Sequence, residues 1–143
     1  MSKIFSFVMG LLVIISFSGC GDSVSMVKKG TLDFDKSITI GQAFDKYKYF
    51  KKIEWKELVT DNGRKVVQVE GIVDKNDMVS NVKDTYKEIK VVAQFAINLD
   101  NTFKFSYFGI YITMADGEII EDSLNDFLIM GKMKAIFANK PIF

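Results

Sequence analysis

The chain reads as an α+β domain in which two β-hairpins form a four-stranded antiparallel sheet, with an N-terminal and a C-terminal helix packed on one face. Three observations predict this. Two runs, Ile53 to Val73 and Ile89 to Ile112, alternate in side-chain character about a central turn, the period-2 signature of paired strands. A capped stretch of helical period precedes them at residues 39–50, and a second follows Ser123. The order helix, hairpin, hairpin, helix gives two layers around one core.

At the N-terminus, Lys3 supplies a short positive segment and residues 4–17 an apolar run broken by Ser6, Gly10 and Ser16. This is signal-peptide layout. The run meets Gly19, Cys20, Gly21 and Asp22 before it reaches the roughly 17–25 residues a membrane span needs. It closes on Phe17-Ser18-Gly19-Cys20, which holds the only cysteine in the chain.

These four residues resemble the lipobox of bacterial lipoprotein precursors, which reads aliphatic, small, Gly/Ala/Ser, Cys. Ser18, Gly19 and Cys20 match, while Phe17 stands where Leu is usual. The resemblance implies that residues 1–19 are removed and that the Cys20 thiolate accepts a diacylglycerol. It also implies a lipid-anchored protein of the cell envelope. Gly21 in place of Asp after the cysteine favours the outer membrane, facing the periplasm, in a Gram-negative host. The residues themselves leave two alternatives open: Ser16-Phe17-Ser18 also fits an ordinary secretory cleavage site, and an uncleaved segment would be a short N-terminal anchor. With one cysteine no intrachain disulfide can form.

Residues 20–36 mix Gly, Ser, Asp and Lys, and 20–36 are expected to be a lipidated tether, leaving 37–143 as the single folded domain. Thr39 and Gln42 have capping-box spacing, with Ile38 and Ala43 placed as a hydrophobic staple. Ile40, Ala43, Phe44, Tyr47 and Phe50 then recur on one helical face, the face that docks on a sheet.

Asn62-Gly63 joins the strands of the first hairpin, the strongest short-range hairpin signal. Trp55, Val67, Val69 and Val73 are its expected buried face, with Trp55 against Phe44 and Tyr47. Residues 74–87 are polar, with a helical turn expected around 79–86. Asp74, Asp77 and Asp84 lack the spacing, central Gly and closing Glu of a calcium loop. Asp100-Asn101 turns the second hairpin and Ala115-Asp116-Gly117-Glu118 ends it.

Strict alternation in the second hairpin puts Phe103, Phe105, Tyr107, Gly109 and Tyr111 on one face and Phe108, Ile110 and Ile112 on the other. Two helices on one side cannot cover both. Phe108, Ile110 and Ile112 are therefore the expected outward interaction surface, since an exposed contiguous apolar patch marks a binding site. Ser123 is placed to cap the last helix, with Asp126 in its first turn. Leu124, Phe127, Leu128, Gly131 and Ala135 form its expected buried stripe, widened by Met130, Met133 and Ile136. Asn139-Lys140-Pro141 stops it.

Composition narrows the function. Histidine is absent, which excludes histidine acid–base catalysis, Ser-His triads and histidine-ligated zinc. Lipidation would consume the only thiol. Removing Lys3 from the 19 basic residues leaves 18 against 18 acidic ones, so the mature chain is neutral and gives no case for nucleic-acid binding. No cofactor, metal or catalytic residue is assigned. At the level of element order the mature region is also similar to small envelope lipoproteins of the SmpA/OmlA (BamE) group and to β-lactamase-inhibitor-type domains. The expected role is a non-catalytic envelope lipoprotein that binds another envelope protein through its sheet. A ligand- or peptide-binding module is the alternative, and a carboxylate hydrolase a further one.

Overall fold

The computed structural model describes residues 22–77 and 85–143. Cys20, the segment before it and most of the expected 79–86 turn lie outside the described residues. Helices α1 (Asp22–Lys29) and α2 (Ile40–Asp45) are followed by strands β1 (Phe50–Val59), β2 (Lys65–Val73), β3 (Tyr86–Ile97), β4 (Phe103–Met114) and β5 (Ile119–Glu121), then helix α3 (Asp126–Phe137). The strands form one antiparallel sheet in chain order. The α+β class stands, with five strands in place of four and three helices in place of two among the described residues. The added strand follows the Ala115–Gly117 turn, where Ile119, Ile120 and Glu121 pair with β4. Three residues carry too short a pattern to announce a strand.

The segment expected as a tether is instead part of the domain from Asp22 onward. Val27 in α1 is fully buried and joins the core together with Val24, Leu32 and Phe34. Spaced valines among Ser and Lys give one apolar edge, and the Gly30 carbonyl accepting the Ile40 N–H at 2.9 Å ties α1 to α2. In α2 the capping box forms as expected: Gln42 N–H donates to Thr39 Oγ1 at 3.1 Å, and Thr39 N–H to Gln42 Oε1 at 3.0 Å. The helix ends at Asp45 rather than near residue 50. Tyr47 and Phe50 still reach the core through turns, and their rings meet at 4.6 Å.

All three hairpins turn through three-residue loops of the same kind. Thr60 pairs with Arg64, Asn98 with Thr102 and Met114 with Glu118 across the loops. The third loop residue in each has positive φ: Gly63, Asn101 and Gly117. Glycine, or asparagine with its short polar side chain, takes this conformation at least cost.

Register assigns each strand residue to a face, because paired residues share a side. One row runs Trp55, Val69, Ala93, Phe108 and the next Ile53, Gly71, Val91, Ile110. These rows face the helices, and with Phe44, Tyr47, Met133, Ile136 and Phe137 they make the core. Trp55 lies on this side as expected, edge to face with Phe44 at 6.0 Å. It is only partly buried and donates Nε1–H to Asp45 Oδ1 at 2.7 Å.

Strict alternation fails in β4. Gln94 pairs with Tyr107 but Phe95 with Phe105, which leaves Ser106 as an extra residue. This β-bulge resets the alternation, so Phe103 and Phe105 share the helix side with Phe108, Ile110 and Ile112. The expected outward surface is thereby corrected. Phe108 is 5% exposed and Ile110 fully buried, both within the core, and Ile112 packs against it.

Two corrections apply to α3. Its cap is Asn125, whose Oδ1 accepts the Leu128 N–H at 2.9 Å, not Ser123. Its buried side is Met133, Ile136 and Phe137, with Ile129 and Ala135 packed against the core, whereas Phe127, Leu128, Met130 and Gly131 are exposed. An apolar residue on nearly every face leaves the helical phase undetermined by pattern alone.

Candidate interaction face of the sheet

Side chains on the sheet face away from the helices follow from the same register. Leu58, Val66, Ala96 and Lys104 form one row, Lys56, Gln68, Gln94 and Tyr107 the next, and Glu54, Glu70, Val92 and Gly109 a third. Sequence alternation gives Val92 and Ala96 to this face correctly. The bulge adds Tyr107 and Tyr111 in exchange for Phe108, Ile110 and Ile112, which do not come together here.

The middle of this face is a connected polar ladder. Gln94 Nε2 donates to Gln68 Oε1 at 2.7 Å, and Gln68 Nε2 donates to Glu70 Oε1 at 2.7 Å. Lys56 pairs with Glu70 at 3.2 Å and Lys90 stands 3.9 Å from its other oxygen. Gln68 is 3% exposed, and a buried amide is tolerable only when its donors and acceptors are matched. Among the described residues no buried side-chain nitrogen or oxygen lacks a partner.

Beside the ladder, Tyr107 folds over Gly109, where any Cβ would collide with its ring. This close approach brings the Tyr107 hydroxyl onto that of Tyr111 and within 2.9 Å of Glu121 Oε1 on β5. Burial, reinforced by the hydrogen bond to Tyr111 and by the neighbouring Glu121 carboxylate, holds the Tyr107 phenol far above its usual value. Burial likewise raises that of Tyr111. Both phenols are neutral donors and acceptors at physiological pH, suited to hydrogen bonding rather than to proton transfer.

Flanking the ladder are apolar residues. Leu58 is fully excluded from solvent, and Val66, Val92 and Ala96 are 4%, 7% and 2% exposed. None of them belongs to the core cluster on the helix side, and no described helix packs on their face. Leu58 and Val66 were legible as apolar but not as members of this surface, because only the β1–β2 register places them beside Ala96.

Among the described residues no group of three or more Asp, Glu, His or Cys side chains gathers to hold a metal. Asp74 accepts the Asn76 N–H at 3.0 Å in a local turn. No described helix is long and apolar enough to cross a membrane. Comparison with protein-family models, with curated proteins and with solved structures finds no match.

Proposed function

We propose that the chain is a lipid-anchored, non-catalytic lipoprotein of the bacterial cell envelope, held by Cys20 and binding another envelope protein through the outward face of its sheet. The observation that carries the binding part is the half-exposed group Lys56, Gln94, Tyr107 and Tyr111 on the face opposite the helices. Leu58, Val66, Val92 and Ala96, buried on the same face, form an apolar floor beside it. Tyrosine is enriched where proteins meet, and accessible polar side chains with fixed geometry supply the hydrogen bonds such contacts use. The Gln68–Gln94 ladder and the tyrosine pair give this face fixed donors and acceptors. Support for the anchoring part is the lipobox-like Phe17-Ser18-Gly19-Cys20.

Photo-crosslinking in native membranes tests this. A photoreactive residue at Lys56 or Tyr111 is expected to capture a discrete envelope protein, whereas one at Leu99, fully exposed at the β3–β4 turn, captures none. Equal labelling at the three positions, or adducts to lipid alone, would overturn the assignment of the face.

A further inference from the structure

We infer that the outward side of α3, around Phe127, Leu128 and Met130, rests in the headgroup region of the bilayer that holds the lipid anchor. This rests on the reading that Cys20 is lipidated.

Two observations carry it. First, the anchor has no slack. Only Gly21 separates Cys20 from α1, so at ~3.5 Å per residue an acylated Cys20 lies within about 7 Å of the start of that helix. Val27 fixes α1 in the core, which holds the domain against the membrane rather than on a leash. Second, α1, α2 and α3 all contribute to the one core on the same side of the sheet. A bilayer drawn up to α1 therefore meets the helix layer, and the partner-binding sheet face points away from it.

The outward chemistry of that layer fits a lipid surface. Phe127 is 84% exposed, Leu128 44% and Met130 38%, and Phe127, Gly131 and Lys134 line up at i, i+4 and i+7. Lys134 shares their helix, and the same layer exposes Lys29, Lys46, Lys48 and Lys140 together with Asp33, Asp45 and Asp126. Exposed apolar side chains on a helix that also carries charged ones suit the headgroup depth of a bilayer. Phe143, 54% exposed with Lys132 over its ring at 5.0 Å, extends the patch.

The test uses the full chain, lipidated in its host, purified and reconstituted into phosphatidylglycerol–phosphatidylethanolamine vesicles. Acylation consumes the Cys20 thiol, so Phe127→Cys and Leu99→Cys each introduce one reactive thiol for an environment-sensitive fluorophore. The Phe127→Cys probe is expected to shift to shorter wavelength in vesicles and to be quenched by spin-labelled lipid. The Leu99→Cys probe should do neither. Circular dichroism matching wild type keeps the comparison valid for these exposed positions. Should both probes report water while mass spectrometry shows Cys20 acylated, the α3 contact is overturned and the anchor stands. An unacylated Cys20 would overturn both.

Discussion

Trp55 shows how one residue can be core and surface together. One edge of its indole meets Phe44, its Nε1–H donates to Asp45, and Lys28 lies over the ring at 5.3 Å while pairing with Asp45 at 3.0 Å. Trp55→Ala is expected to cost about 3 kcal/mol, the low end for large aromatics, because the ring is only partly buried. Denaturant unfolding measures this; an unchanged midpoint would mean that Trp55 adds nothing to the core. Tyr47, Tyr107 and Tyr111 predict an alkaline limit. Burial raises all three phenols above their ordinary value of 10.0, so the fold favours the protonated form. Their contribution is therefore complete below pH 10.0 and is lost as pH climbs through the raised values. The unfolding midpoint should hold from neutrality to that point and fall above it, less steeply in a Tyr107→Phe, Tyr111→Phe variant.

At the scale of the element, the bulge at Ser106 is the decisive feature of β4. Phe103 and Phe105 pack on Phe95 at 6.0 and 5.8 Å from one side of it, and Phe108 and Ile110 enter the same core from the other. Both sets can face inward only because one extra residue lies between them. Deleting Ser106 would force one set outward, and a loss of about 3–5 kcal/mol is expected, the scale of removing a buried aromatic. Ser106→Ala keeps the residue count and should change stability by no more than ~0.5 kcal/mol, although the Oγ–Gln94 carbonyl contact at 3.2 Å is lost. Thermal unfolding of the two variants separates register from side-chain chemistry. Equal effects would mean that the bulge does not set the register.

For the whole molecule, the two sides of the sheet divide the work: one carries the helices, and the other a matched polar ladder with apolar flanks. Under the proposed anchoring, Cys20→Ser should release the protein from membranes without unfolding the domain. Cys20 precedes the first described helix, and each buried acyl CH₂ contributes ~0.8 kcal/mol to membrane affinity. Fractionation with circular dichroism measures both halves; a variant that still sediments with membranes would show that acylation is not what holds it there.

What the sequence by itself determined was local. The capping box of α2, the positions of the three tight turns, the alternation of β2 and β3, and the helix-side placement of Trp55, Val67 and Val69 all follow from contacts within a few residues. Tertiary structure decided what depends on a partner far along the chain. The bulge follows from pairing Phe95 with Phe105 while Gln94 keeps Tyr107, and a one-residue offset is invisible in a segment apolar on both sides. The phase of α3 shows only in its packing, with Met133, Ile136 and Phe137 in the core, since an almost uniformly apolar helix favours no face of its own. Residues 22–36 fold because Val27, with Val24, Leu32 and Phe34, finds a place in the core, although their composition alone is that of a linker. The candidate face was half legible for the same reason: alternation gave Val92 and Ala96, but only cross-strand register could set Leu58, Val66, Gln68 and Tyr107 beside them and turn Phe108, Ile110 and Ile112 inward.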